Sequence, residues 1–589
     1  MQWNSKIKVI LISIVLILVS SSSLVIAQKE NQDISNNSLF VSLSSPPEPI
    51  RNVAEFERME GVLIRYPFGI SYQIIAEMSE DVEVTTIVAS ESQKTTVISQ
   101  YLSHGVNLDN CKFLIAPSDS YWTRDYGPWF IFNGDNELGV VDFTYNRPRP
   151  QDNAIPSAFA SDQEFPCYLM PLDHTGGNYM TDSYGISVST SLVWNENSGY
   201  SHQQIYDIMN DYLGIGTYHV VPDALGDYIQ HIDCWAKFLS PDTIMIIEVS
   251  TGHSNYEEIE DAVEYFENQT CCYGYPYNIE RVYTHLSEPY INCLILNDKV
   301  LVPITGSQWD DEAIESYESA LPGYEVLGFT GSWQSTDALH CRTKGVPDRH
   351  MLYIDHTPLY GMQNGDYGIE IQAKIIAYSG EEIVDDSTCV YWKEAVGDWE
   401  SVEMNHIGND IYEAVIYPAE NGSLINYYIK ANDESGRIEY HPFIGEADPH
   451  SFIVEITSTN NPPDKPDTPT GPESGEAGIS YTYSTSTHDS NGDEVFYKWD
   501  WGDGSYSNWL GPFESDEMVI ANHTWDEKGT YSIKVKAKDI NDEESEWSDP
   551  LEVSMPKSKG NLLSIFNNLE FLIDFICSII NKICILYGG

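Results

Sequence analysis

Positive charge is what this 589-residue chain has least of: 30 Lys and Arg stand against 90 Asp and Glu, a formal net charge of −60. Phosphate contacts need a basic patch, so the overall field excludes nucleic acid as a partner. The acid is spread over every region, which reads as solvation in a salty exterior before it reads as steering of cationic substrates. Cysteine is present but unorganised: ten residues follow no disulfide-framework spacing, and no CxxC pair or His/Cys cluster with zinc spacing occurs. Cys271-Cys272 is the one place that invites oxidation, with a partner the sequence does not name. Disorder is excluded too, since 42% hydrophobic and 20% charged residues describe a globular chain long enough for several cores.

The ends differ from the middle. Lys6 and Lys8 precede an apolar run from Val9 to Val19, a serine cluster, and Val25-Ile26-Ala27 as a cleavage site, so residues 1–27 read as an export signal. An uncleaved anchor is the alternative, and either way the protein is expected to be secreted or at the cell surface. Residues 28–49 form a linker ending in Ser45-Pro46-Pro47-Glu48-Pro49. From 50 to 360 short strands alternate with amphipathic helices such as Tyr256 to Asn268 and Glu312 to Ala320, the pattern of an α/β domain. Residues 361–457 carry strand runs without helices, as in an immunoglobulin-like β-sandwich. A proline-rich linker over 458–472 leads into a second all-β segment, 473–556. The tail, 557–589, is apolar with a narrow polar stripe (Asn567, Glu570, Asp574, Ser578, Asn581). Its two carboxylates argue against a simple span, leaving an interfacial membrane anchor or a helix docked on a partner.

A device recurs in the α/β region. Asp125 precedes the apolar run Trp129–Phe132, an Asn133-Gly134-Asp135-Asn136 turn and a return run to Tyr145. Asn178, then His231 and Asp233, then Asn292 precede similar hairpin signatures. The leading polar residues stand at 125, 178, 231 and 292, with Cys341 next. Such near-regular spacing predicts repeated blades whose strand ends converge on one axis; loosely spaced hairpins of any α/β chain are the plainer reading.

Cys341 lies in Asp337-Ala338-Leu339-His340-Cys341-Arg342-Thr343-Lys344-Gly345. A thiol attacks as thiolate, and His340, Arg342 and Lys344 are the local groups able to lower its pKa. On this stretch alone a buried core cysteine is the better reading. The other hairpin-leading residues change that. A thiol, an imidazole and carboxylates admit cysteine hydrolase chemistry, including proteolysis, but carboxylates beside the thiol would repel the oxyanion of an amide substrate. They suit a cation, and a planar guanidinium pairs bidentately with each. The set therefore favours attack on a guanidinium carbon.

Four stretches, Trp122-Thr123-Arg124-Asp125-Tyr126-Gly127-Pro128, His174-Thr175-Gly176-Gly177-Asn178, His231-Ile232-Asp233 and Ala338-Leu339-His340-Cys341-Arg342-Thr343, resemble the motif set of the guanidine-modifying superfamily. The resemblance runs over roughly residues 50–360, most specifically to the secreted bacterial peptidyl-arginine deiminases within the agmatine deiminase group. It implies a multidomain protein whose catalytic domain is an α/β five-bladed pseudo-symmetric propeller (pentein), followed by the immunoglobulin-like sandwich. It implies Cys341 as nucleophile, His231 as general acid/base, Asp125 and Asp233 as guanidinium ligands, and Asn292 as an active-site asparagine, with no metal or organic cofactor. It places Trp122 and Tyr228 along the substrate channel and Asn178 among the substrate-binding positions. Read singly, Asp125 could cap a helix, His231 could be an interior histidine and Asn292 a turn residue. Separately, Trp499-Asp500-Trp501-Gly502-Asp503-Gly504 resembles the turn of a PKD (polycystic kidney disease-type) module, a β-sandwich used for spacing or adhesion.

Tyr145-Asn146-Arg147-Pro148-Arg149-Pro150 spends two arginines where basic residues are scarce. Prolines bias their neighbours to extended backbone, so Arg147 and Arg149 are expected to point the same way and clamp a carboxylate. The resemblance implies a matching pair that binds the free carboxylate of a C-terminal arginine. Peptides or proteins with C-terminal arginine are the expected substrates. Agmatine or free arginine, and a catalytically inactive adhesion protein, are the competing readings.

Overall fold

A computed structural model describes residues 41–556, apart from 43, 286–287, 419 and 457–459. The expected export signal over 1–27, most of the expected linker after it and the apolar tail lie outside the described residues. The chain divides into two compact units between Glu455 and Ile456. Among the described residues no helix is long and apolar enough to cross a membrane.

The first unit opens with five sheets built on one plan. In each, an antiparallel pair is followed by a helical crossover to a third strand that pairs in parallel. Trp129–Phe132, Leu138–Tyr145 and Cys167–His174 form one such set. Met180–Thr181, Ile186–Thr190 and Thr217–Val221 form the next. Ala236–Phe238, Thr243–Glu248 and Asn278–Tyr283 follow, then Leu294–Leu296, Lys299–Ile304 and Glu325–Thr330. The remaining sheet joins the two ends of the region: Lys344–Pro347 pairs antiparallel with Met59–Arg65, which pairs in parallel with Glu83–Val88 and through it with Cys111–Ile115. The four hairpins expected from turn chemistry are all present. The strand after Cys341 takes its antiparallel partner from the start of the region.

Local chemistry explains the crossovers. His202–Leu213 opens on a capping box made by Ser201 and Gln204. It ends at Gly214, φ 68°, where a Cβ would stand 2.3 Å from the Ile50 carbonyl oxygen, so only glycine fits. Tyr256–Glu267 buries Ile259, Val263 and Phe266 against Ile244, Ile246 and Val282 of its sheet, each apolar side chain contributing about 1.5–3 kcal/mol.

Leu352–Asp355 pairs with Ile369–Ala377, which pairs with Ile411–Ile416, so the β-rich part begins before the expected 360/361 boundary. A second sheet centres on Leu424–Asn432, flanked by Cys389–Glu394 and His450–Glu455. This β-rich part and the α/β part share one compact unit: Arg58 forks onto Glu439 at 2.8 and 3.0 Å, and Arg437 onto Asp348 at 2.7 and 3.0 Å. The second unit is all-β, with Tyr483, Trp499 and Trp525 fully buried in its core. All cysteines among the described residues are free, Cys271 and Cys272 included.

Candidate active site

The expected site residues sit in short turns just ahead of the first strand of each sheet. Asp125 lies in Thr123–Tyr126, Asn178 in Gly176–Asn178, Asp233 in Ile232–Cys234 with His231 at its N-cap, and Cys341 in His340–Arg342. Asn292 stands in the bend before Leu294–Leu296. These turns pack on one another: Thr123–Tyr126 against Gly176–Asn178 and His340–Arg342, and Gly176–Asn178 against Ile232–Cys234.

Gly177 shows how tightly the side chains converge. A Cβ there would stand 2.5 Å from His231 Nδ1, 2.8 Å from Asp125 Oδ1 and 3.3 Å from Asp233 Oδ1. The imidazole and both carboxylates thus surround one point, and glycine is the only residue that leaves it open. Asp125 Oδ1 and His231 Nε2 are buried without a hydrogen-bond partner. Two such groups are costly to desolvate unless something polar meets them.

Cys341 is 2% exposed. Its Sγ accepts from Asn292 Nδ2 at 3.4 Å and lies 3.8 Å from Asp233 Oδ2. The Asn292 side-chain oxygen accepts the Cys341 N–H at 3.3 Å, and its carbonyl accepts the His340 N–H at 3.0 Å. Asn292 therefore pins the turn that carries the thiol and also touches the sulfur.

The local cations do not lower the thiol pKa, contrary to the expectation from the Asp337–Gly345 stretch. Arg342 is spent on a bidentate pair with Asp337, 2.7 and 2.9 Å, and on the Gly69 carbonyl at 2.7 Å. Burial, with Arg124 adding, pulls Lys344 down to about 7. Burial first, then Asp233, Asp125 and Asp337, push the Cys341 thiol well above its ordinary value. Burial likewise lowers His231 to about 4. Burial and the neighbouring Asp233 raise Asp125 well above the carboxylate range. Burial pushes Asp233 up as well, but the hydrogen bond and charge of His340 outweigh it, and Asp233 ends below its ordinary value. At neutral pH the Cys341 thiol and the His231 imidazole are therefore both uncharged, the thiol against Asp233 and the imidazole 3.7 Å from Asp125.

Two contributors, Glu55 and Lys237, were not anticipated, and His340 has a different role from the one expected. His340 bridges two carboxylates, Nδ1 to Asp233 Oδ2 and Nε2 to Glu55 Oε2, both at 2.6 Å. Glu55 also meets Arg124 at 2.6 Å and Lys237 at 2.8 Å, and its carboxyl, against the pull of burial, is held well below the usual range by those cations. His340 holds Asp233 through Oδ2, the oxygen that also lies 3.8 Å from the Cys341 sulfur. A lone acid in Val53-Ala54-Glu55-Phe56 was the only sequence signal for Glu55.

At the mouth, the Arg149 guanidinium lies 4.3 Å over the Trp122 ring and donates to Tyr145 Oη at 3.1 Å. The Arg147 side chain makes no hydrogen bond or ion pair among the described residues, yet its charge acts on Asp125 and His231. The Asn146–Arg149 backbone bends, with the Arg149 N–H on the Arg147 carbonyl at 2.7 Å; this short turn replaces the extended run expected from the prolines, while the charge of both arginines acts on Asp125. Asn178 is buried, its Oδ1 accepting the Thr190 N–H at 2.9 Å, so it braces its turn. Tyr228, expected along the substrate channel, stands 84% exposed on the loop between Val221 and His231.

Residues 53–347, half of the chain, match the Porphyromonas-type peptidyl-arginine deiminase family, and residues 461–555 match the PKD domain. The agmatine deiminase of Medicago truncatula is 23% identical over 321 residues, 45% of this chain and 84% of that protein. The structure of the Enterococcus faecalis agmatine deiminase is 20% identical and covers 53% of this chain and 100% of that one, with a TM-score of 0.47. The PKD domain of an M14-like peptidase from Thermoplasmatales archaeon SCGC AB-540-F20 is 50% identical over 17% of this chain and 100% of that one, with a TM-score of 0.16. The chain belongs to the Porphyromonas-type peptidyl-arginine deiminase family, hydrolases of the C–N bonds of amidines, and carries a PKD domain behind that region.

Proposed function

We propose that the protein hydrolyses the guanidinium of C-terminal arginine in peptides to citrulline and ammonia. The five sheets are read as five blades around one axis, with Lys344–Pro347 closing the ring onto Met59–Arg65. Export through residues 1–27 and surface association through residues 557–589 belong to the same reading and rest on the sequence alone.

The chemistry follows from the charges. An entering guanidinium places its cation between Asp125 and Asp233, draws Asp125 toward its ionised form, and offsets two of the three carboxyls that, after burial, hold the thiol protonated. The Cys341 proton passes to His231, giving thiolate and imidazolium. The thiolate forms an S–C bond to the guanidinium carbon, and His231 returns the proton to the departing nitrogen, which leaves as ammonia. The cationic thiouronium stays between the carboxylates. His231, neutral again, takes a proton from water as its oxygen attacks the same carbon; the C–S bond breaks, the added hydroxyl gives its proton to the departing Cys341 sulfur as the neutral ureido product forms, and His231 releases its proton to solvent. That product is neutral, so the carboxylates no longer hold it.

Arg147 carries the substrate assignment. It stands at the mouth of an acidic pocket without an ion-pair partner, beside Arg149 anchored on Trp122. A guanidinium next to the site of a cationic substrate is repulsive unless the substrate also brings an anion. The α-carboxylate of a C-terminal arginine is that anion. Relatives named agmatine deiminases favour a small-molecule substrate, but agmatine has no carboxylate for Arg147.

Citrulline and ammonia are measured from agmatine, free arginine, and peptides with internal or C-terminal arginine. C-terminal peptides are expected to react with the highest kcat/KM, and Arg147→Ala to reduce that value far more than the value for internal arginine. Equal losses, or agmatine as the best substrate, would overturn the assignment.

A further inference from the structure

Beside the catalytic turns lies a cavity of about 60 Å³ whose cations the deimination chemistry does not use. It sits among the first strands of the sheets, Trp129–Phe132, Met180–Thr181, Ala236–Phe238 and Lys344–Pro347. Its lining brings together Arg124, Lys237 and Lys344, with Glu55 and Asp233 as the carboxylates. One water takes about 10–15 Å³ of such space, so the cavity holds a few particles of that size. In a chain of net charge −60, cations outnumber acids here.

Both acids are already committed. Glu55 Oε2 meets Arg124 Nη2 and His340 Nε2, each at 2.6 Å, while Oε1 meets Lys237 Nζ at 2.8 Å and the Ile295 N–H at 3.2 Å. A carboxylate offers about four lone-pair sites, so Glu55 has none left. Asp233 is held by His340 at 2.6 Å and faces the thiol at 3.8 Å. The cations are not committed. The Lys344 side chain makes no hydrogen bond or ion pair among the described residues, and its ammonium lies 5.7 Å from the centre of the Phe130 ring. Arg124 is 6% exposed and uses Nη2 on Glu55 and Nε on the His340 carbonyl at 3.5 Å, which leaves Nη1 without a partner among the described residues. Cations in a low-dielectric interior are costly unless an anion meets them. The displacement of Lys344 to about 7, caused by burial first and Arg124 second, reflects that missing counter-charge.

We propose that this cavity binds one chloride ion, held by the Lys344 ammonium and the Arg124 guanidinium. A halide is a single atom, which suits a space that takes only a few water-sized particles. It accepts hydrogen bonds from any side, which suits spare N–H groups on two different side chains. Water would fill the same space without offsetting the charge. One negative charge there leaves Glu55 to Lys237 and His340, and through His340 it supports Asp233.

The test uses the full chain in potassium gluconate at about 0.5 M, where loose counterions of an acidic protein are screened. Chloride replaces gluconate, an anion too large for the cavity, stepwise at constant ionic strength. The melting temperature of the first unit should rise and saturate, as binding to one site requires; a bulk salt effect grows without saturating. Crystals of the full chain grown in potassium bromide should show one anomalous peak in the cavity, within hydrogen-bond reach of Lys344 Nζ and Arg124 Nη1. Neither measurement depends on a variant folding. Lys344→Met, which keeps the length of the side chain and removes its charge, should lose both the peak and the saturable rise. No saturable rise, a cavity that holds only water in bromide, or a Lys344→Met protein that keeps the peak overturns the proposal.

Discussion

Gly177→Ala puts the geometry of the catalytic pocket under direct test. The new methyl carbon would lie 2.5 Å from His231 Nδ1 and 2.8 Å from Asp125 Oδ1, where ordinary contacts begin near 3.4 Å. Neither neighbour is free to swing away. His231 is buried at the N-cap of Ile232–Cys234, and Asp125 is buried within Thr123–Tyr126. One of them must move by roughly 1 Å, a displacement that costs about 10²-fold when it falls on a catalytic group. Overpacking of this kind costs about 1–3 kcal/mol of stability, so the variant remains folded and its activity remains measurable. Citrulline release gives kcat/KM and urea unfolding gives stability. Gly199→Ala is the control, because its Cβ would meet nothing within 4 Å. Turnover of Gly177→Ala equal to that of the control would refute the arrangement of His231, Asp125 and Asp233 around one point.

Two further outcomes follow from the buried charges. Glu55→Gln removes the anion shared by Arg124, Lys237 and His340 and strands buried cations, so urea unfolding should show a loss of about 3–5 kcal/mol; an unchanged midpoint would show that the network is not held together as described. His356, His441 and His450 form a cluster, the first two buried and His450 half-buried, with His441 Nδ1 2.8 Å from His450 Nε2. Its other partners are the Gln372 carbonyl and the hydroxyls of Tyr427, Tyr184 and Tyr273. Burial lowers all three, His356 to about 4 and the other two well below their ordinary value with their histidine neighbours adding. The unfolded chain therefore takes up protons first: the stability of the first unit is full above about pH 6.5 and falls on acidification by about 1.4 kcal/mol per pH unit for each histidine. Urea midpoints at pH 7 and pH 5 check this, and equal midpoints would contradict it.

The hairpins were legible because turn residues punctuate apolar runs, and the polar residues ahead of them were legible because those positions repeat. The role proposed for Cys341 was legible only through distant partners, from Asn292, 49 residues upstream, to Asp233, 108 residues upstream. What stayed hidden depends on contacts that no local pattern encodes. Glu55 reaches His340 across 285 residues. His340 looked like a cation beside the thiol and proves to be a bridge between carboxylates. Arg342, which seemed poised to activate the thiol, is consumed by Asp337 five residues away. Proline bias predicted an extended Arg147–Arg149 stretch, and a tight turn overrides it. Gly177 could be read as a motif glycine, but its reason, an imidazole and two carboxylates pressed against its Cα, exists only in three dimensions.

The central claim is that Cys341 attacks the guanidinium carbon, and its covalent intermediate is what tests this most directly. A C-terminal arginine peptide is mixed with enzyme, quenched in acid within one turnover, and the intact and digested protein is weighed. The mass of the substrate less ammonia should appear on the peptide containing Cys341 and decay as citrulline forms, with neither adduct nor product in Cys341→Ala. Citrulline formed by Cys341→Ala, or an adduct on another residue, would contradict the account.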